Sequence, residues 1–226
     1  MSAEPKAVPA RLLVVVIDDH PLVREGLVSL IGRESDLVVA GQAEGVASGL
    51  ALVAAKVPDV VVTDLSLKDG SGLTLIRELQ AHHPAVRILV VSMHEEPFHA
   101  ERAFRAGARG YLTKRESTGR IADAIRRVAE GKIYASGELL EKLAGRLHRP
   151  TTIGSESAVD RLSDRELEVF QLFGRGLETK QVAKEMNVSV KTVEAYMARI
   201  KEKLGLGHIN EFIHAAVTWT QSARPE

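Results

Sequence analysis

The sequence predicts two domains: an α/β domain built on a five-stranded, parallel, doubly wound sheet, then an all-α helix-turn-helix domain. Three observations predict this. Short valine-rich apolar runs alternate with helical patterns as far as Gly131, such runs vanish after Leu162, and a Pro/Thr/Gly/Ser stretch separates the two regions.

The first apolar run covers residues 12–17 and ends at Asp18 and Asp19. The second covers 37–40. Residues 60–62 lead into Thr63 and Asp64, residues 88–91 into Ser92, and residues 110–112 into Thr113 and Lys114. Continuous runs of this kind suit strands buried on both faces of a parallel sheet. Helical periodicity fills the gaps. Leu22, Leu27, Leu30 and Ile31 are read as one apolar face, Leu50 and Val53 as a second, and Leu73, Ile76 and Leu79 as a third. Residues 98–105 and 121–128 add two more helices. A repeated strand–helix unit with right-handed crossovers puts every strand's C-terminal end on one edge, where ligands bind in such sheets.

The expected organisation is a disordered tail at 1–10, the α/β domain at 11–131, a linker with a short helix at 132–160, and the helical domain at 161–226. Within the last, helices are expected at 164–173, 179–185, 190–204 and 209–218. Ser163 and Glu166 have capping-box spacing, Thr179 is the expected cap of the second helix, and Ser189 that of the third. The second and third helices, joined by the short turn Asn187-Val188-Ser189, have helix-turn-helix spacing.

Composition narrows the function. The absence of cysteine removes disulfides, thiolate metal sites and a cysteine nucleophile. No stretch approaches the ~18 apolar residues of a membrane span, and residues 12–17 are too short for a signal-peptide core, so a cytoplasmic protein with no membrane partner is expected. Thirty basic residues balance thirty acidic ones. Net neutrality hides a local surplus: six basic residues against three acidic ones between Lys180 and Lys203, where phosphate contacts would fall.

The strand-end residues carry the chemistry. Asp18, Asp19, Asp64, Ser92 and Lys114 come from four strands and meet at one edge. Any one of them alone reads as a helix cap or a solvated group; their joint placement is what argues for a site. Crowded carboxylates repel unless a cation joins them, and oxygen donors select Mg²⁺ or Mn²⁺. A carboxylate beside such an ion can attack a phosphoryl group, with Lys114 offsetting charge on the phosphoryl oxygens.

The segments VVIDDHPLVREGL, VVTDLSLKDGSGLTLIREL, ILVVSMH and GARGYLTK resemble bacterial receiver domains over residues 10–130. The resemblance implies Asp64 as phosphoacceptor. It implies Asp18, Asp19, Asp64 and the Ser66 backbone carbonyl as the metal shell, and Ser92, Tyr111 and Lys114 as switch and phosphate-binding residues. On phosphorylation Tyr111 would turn inward as Ser92 is drawn to the phosphate. Receivers usually have proline where this chain has Lys68, so a more mobile loop is expected after Asp64. Residues 160–220, through LSDRELEVFQL, KQVAKEMNVSVKTVEAY and KEKLGL, are similar to the LuxR-type helix-turn-helix of the NarL/FixJ response regulators.

That likeness implies residues 190–204 as the recognition helix. Lys180, Lys191, Thr192, Tyr196 and Arg199 are then phosphate contacts, and Glu194, Ala195 and Ala198 face the major groove. Met197 and Ala198 offer little hydrogen bonding, which leaves thymine contacts or DNA shape as the source of sequence preference. The implied partners are a sensor histidine kinase, double-stranded DNA and a second copy of the chain, with RNA polymerase as a further candidate. The last helix, with Phe212, Ile213, Ala216 and Val217, serves either dimerisation or packing within its own domain. Among the histidines, His20, His82, His83, His94 and His99 read as surface or capping residues, and the receiver resemblance places His94, two residues after Ser92, where that family has a residue near the attacking water in dephosphorylation. Three other readings compete. A phosphatase would need a second carboxylate where Ser66 stands, a phosphorylation-independent DNA binder would not need the acidic pair or Lys114, and a protein-binding adaptor would not need the C-terminal helix-turn-helix.

Overall fold

A computed structural model describes residues 11–93, 97–147, 158–186 and 188–223. The expectations for residues 1–10, His94, residues 148–157 and Asn187 fall outside the described residues. The chain divides into two units, Met1–Arg149 and Pro150–Glu226.

The first unit runs β1 (Leu12–Ile17), α1 (Pro21–Gly32), β2 (Leu37–Ala43), α2 (Val46–Lys56), β3 (Val60–Thr63), β4 (Ser66–Leu67), β5 (Gly70–Ser71), α3 (Gly72–His82), β6 (Arg87–Ser92), α4 (Pro97–Ala106), β7 (Gly110–Thr113), α5 (Lys114–Ala129) and α6 (Gly137–Leu147). The main sheet has the order β2-β1-β3-β6-β7, and all its pairs are parallel. Strand alternation explains why the runs are apolar throughout. Val14, Val16, Val60, Val62, Leu89, Val91 and Leu112 enter one core with Leu27, Ile31, Ile121 and Ile125. Val15, Ile17, Val61, Ile88, Val90 and Tyr111 enter the other with Val53, Leu73, Ile76 and Ala100. Each buried valine, leucine or isoleucine contributes about 1.5–3 kcal/mol by leaving water, and a single-residue slip would swap the two faces.

Leu22 does not join the α1 face; it is 86% exposed. Five residues of helix put it about 140° around the axis from Leu27, and Val23, four residues before Leu27, packs on the core instead. The loop after Asp64 is also anchored rather than loose. β4 and β5 form a small antiparallel hairpin, and Lys68 at its turn pairs with Glu44. The Asp69 carboxylate accepts the Val46 and Ala47 N–H groups at 2.7 and 3.2 Å. These donors at the start of α2 have no partner within the helix, and they favour an anion. In the expected linker, α6 packs on the second core through the buried Leu139.

The second unit has a 3₁₀ turn (Ala158–Arg161) and then α7 (Asp164–Gly174), α8 (Thr179–Glu185), α9 (Val190–Leu204) and α10 (Ile209–Ala223). Phe212 of α10 stands edge-on to Phe170 and Phe173 of α7, with ring centroids 5.6 and 5.2 Å away. The Ser163–Glu166 capping box opens α7, and Ser189 caps α9 by accepting the Thr192 N–H at 3.1 Å. Thr179 is not the cap of α8. Glu178 holds that position, its N–H donating to the Gln181 side chain at 2.8 Å, and Thr179 is the first helical residue.

Candidate functional site

The strand order sets the site. β1 and β3 are adjacent, so Asp18, Asp19 and Asp64 leave neighbouring strand ends, and β6 and β7 bring Ser92 and Lys114 to the same edge. The Asp64 N–H donates to the Ile17 carbonyl at 3.0 Å, which fixes the carboxylate beside the end of β1. One Asp64 oxygen accepts the Leu65 N–H at 2.7 Å. The other accepts Lys114 Nζ at 2.7 Å, and the same ammonium lies 2.8 Å from Asp18 Oδ2. Asp18 and Asp64 are 1% and 3% exposed. Burial pushes the Asp64 carboxyl above the usual range, and the Asp18 charge adds to this against the opposing pull of Lys114. Burial works against the Lys114 charge too, but Asp64 and Asp18 outweigh it and hold its pKa above the ordinary lysine value.

The donor set fits a divalent cation. Ligand atoms of Asp18, Asp19, His20 and Asp64 lie within 4.8 Å of one another. Three carboxylates face one ammonium, and the Asp18 and Asp64 side chains are almost wholly out of water. Uncompensated buried charge of this kind is costly, and hard oxygen donors match Mg²⁺ or Mn²⁺. Ser66 is 7% exposed, and its hydroxyl has no partner among the described residues. His20 is the member of this cluster that sequence reasoning assigned to surface and capping roles. Its adjacency to Asp18 and Asp19 was the available signal. His99, also read as a surface or capping residue, is fully buried on α4.

Ser92 is fully buried at the end of β6, paired in register with Thr113 of β7. Tyr111 is 1% exposed and belongs to the core it shares with Ala100 and Ala103 of α4. The inward turn expected of this ring on phosphorylation therefore does not start from an exposed position here; the small alanines of α4 leave room for it.

On α9, Val193, Met197 and Ile200 are buried. Lys191, Glu194, Ala195, Ala198 and Arg199 are exposed, Thr192 and Tyr196 half-buried, and Lys180 on α8 is exposed. The proposed contact residues thus avoid the packed stripe. Met197, noted for its poor hydrogen-bonding capacity, is core. The Thr192 hydroxyl shares a hydrogen bond with Ser189 at 2.7 Å, so it is partly committed to the cap.

A phosphoacceptor-type acidic edge in one unit and a helix-turn-helix in the other define a class: regulators that couple a receiver to a DNA-binding module. Residues 14–126 match the family described as response regulator receiver domain, and residues 160–216 match bacterial regulatory proteins of the luxR family. The chain belongs to these LuxR-type response regulators, the DNA-binding transcriptional regulators of two-component systems. It is 32% identical over 204 residues to the transcriptional activator protein ExaE of Pseudomonas putida, covering 90% of this chain and 95% of that one. It is 35% identical over 197 residues to the DNA-binding transcriptional activator DevR/DosR of Mycobacterium tuberculosis, covering 85% and 88%. A LuxR-family two-component response regulator from Aurantimonas superposes with a TM-score of 0.58 at 32% identity, over 61% of this chain and 99% of that structure. No helix among the described residues is long and apolar enough to cross a membrane.

Proposed function

We propose that Asp64 accepts a phosphoryl group from a sensor histidine kinase and that this switches DNA binding by α9. The observation that carries the reading is the Asp64 carboxylate, buried at a strand end with Lys114 Nζ at 2.7 Å. An Asp64 oxygen attacks phosphorus of the phosphohistidine; the P–O bond forms, the P–N bond breaks, and the leaving imidazole takes a proton. Asp18, Asp19, Asp64 and the Ser66 carbonyl would hold a divalent cation, which supplies positive charge to the phosphoryl oxygens. Lys114 adds a second fixed charge at the same place. Ser92, buried at the end of β6, offers a hydroxyl to the product phosphate, and Tyr111 reports that contact to the β7 side of the core. No external substrate is turned over: Ser66 stands where a phosphatase would need an acid.

On DNA, Lys180, Lys191, Thr192, Tyr196 and Arg199 contact phosphates, while Glu194, Ala195 and Ala198 face the major groove. A second copy pairs through the α10 positions left open by packing, Ile209, Ile213 and Val217. The regulator acts in the cytoplasm, where kinase and DNA are both within reach, and bound copies contact RNA polymerase.

Incubation with phosphoramidate and Mg²⁺, read by intact-protein mass spectrometry, tests the chemistry. One added phosphoryl group is expected, and none in Asp64→Asn. A modified Asp64→Asn protein would place the acceptor elsewhere.

A further inference from the structure

We propose that His20 is a nitrogen ligand of the divalent cation and tilts the site toward Mn²⁺ over Mg²⁺. This rests on the reading that the acidic cluster binds a cation.

His20 occupies the N-cap of α1 in extended conformation, φ −91° and ψ 108°, with Pro21 directly after it. Its N–H donates to Asp18 Oδ1 at 2.8 Å, which ties the residue's backbone to the cluster. Its ring Nδ1 lies 2.7 Å from Asp19 Oδ1 and 3.3 Å from Asp18 Oδ1. Two donors at right angles around an octahedral ion, each ~2.1 Å from it, stand about 3.0 Å apart. As they stand the His20 distances are those of direct imidazole–carboxylate pairs, and the same spacing fits neighbouring corners of one coordination shell. With Asp64 included, all four donor groups fall within 4.8 Å of one another. The imidazole is also 55% exposed, against 1% for the Asp18 side chain. It stands on the solvent side, where an entering ion can exchange a water for nitrogen. Imidazole favours transition ions, whereas Mg²⁺ prefers oxygen donors and retains its waters.

The test uses full-length, untagged protein loaded with Mn²⁺. Electron spin-echo modulation reads a directly bound ¹⁴N, and titrations give the Mn²⁺ and Mg²⁺ affinities. Wild type is expected to show imidazole nitrogen modulation that His20→Gln lacks. Mn²⁺ affinity should fall about tenfold in His20→Gln, the low end of what a lost or disoriented ligand costs, with Mg²⁺ affinity nearly unchanged. Bound Mn²⁺ without nitrogen modulation in wild type, or modulation that persists in His20→Gln, would overturn the role of His20 and leave the acidic cation site standing. Mn²⁺ binding that is absent, or undisturbed in Asp64→Asn, would remove the cation site and the His20 ligand together.

Discussion

Among single residues, the chemistry depends on close approaches around Asp64. Gly72 is one. A Cβ there would sit 2.2 Å from the Asp64 carbonyl oxygen and 2.7 Å from Leu65 Cα. Both are backbone atoms, so the Asp64–Leu65 backbone must shift. Gly72→Ala should destabilise the first unit by about 1–3 kcal/mol. It should also slow phosphorylation of Asp64 by roughly tenfold to a hundredfold, since misplacement near 1 Å has that effect on a reacting group. Urea unfolding and the time course of phosphoryl incorporation measure the two effects. Arg199 makes the corresponding prediction for DNA. It is exposed on α9, so Arg199→Ala should leave folding intact and weaken binding similarly across sequences. The slope of log affinity against log salt should shrink by about one unit. A change confined to one base position would instead make Arg199 a base reader. The acidic pair, Asp64 and Lys114 were legible because each ends an apolar run. His20 was not, because a histidine between aspartate and proline also reads as a helix start. Only the folded cap shows where its ring points.

The secondary elements owe their places to a few polar ties added to apolar packing. Glu166 is the clearest. It is 3% exposed, accepts the Ser163 N–H at 2.7 Å and Lys203 Nζ at 2.6 Å, and so joins the start of α7 to the end of α9. Burial alone would raise its pKa. The Lys203 and Ser163 hydrogen bonds outweigh that and hold it below the ordinary value of 4.5. A carboxylate depressed in the folded state adds stability above its unfolded pKa and loses it as pH falls through the folded value. Glu166→Gln should therefore destabilise the second unit at pH 7 by about 1–3 kcal/mol, and its deficit relative to wild type should narrow below pH 4.5. Trp219, the chain's sole tryptophan, packs 6.1 Å from the Phe170 ring, so its fluorescence follows this unit's unfolding. A deficit independent of pH would deny the ion pair its role. Elements were legible where periodicity was strong: α8 and α9 have the expected bounds. Leu22 was misplaced because an apolar residue in a first helical turn matches a stripe by type but not by angle. The β4–β5 hairpin was missed because its two-residue strands carry no period, and Asp69 reaches across 23 residues to cap α2.

For the whole molecule, the sequence separates two units of different chemistry, and the family assignment joins them as input and output. The parallel sheet gathers Asp18, Asp19, Asp64, Ser92 and Lys114 at one edge, and α9 presents Lys191 and Arg199 to solvent. On the proposed function, a charge change at Asp64 governs the second unit's grip on DNA. Fluorescence anisotropy on labelled genomic fragments, with and without phosphoramidate plus Mg²⁺, for wild type and Asp64→Asn, tests it most directly. Donor-enhanced binding in wild type alone is the expected result. Equal binding in all four conditions would contradict phosphorylation control and leave a DNA-binding protein whose first unit serves another purpose.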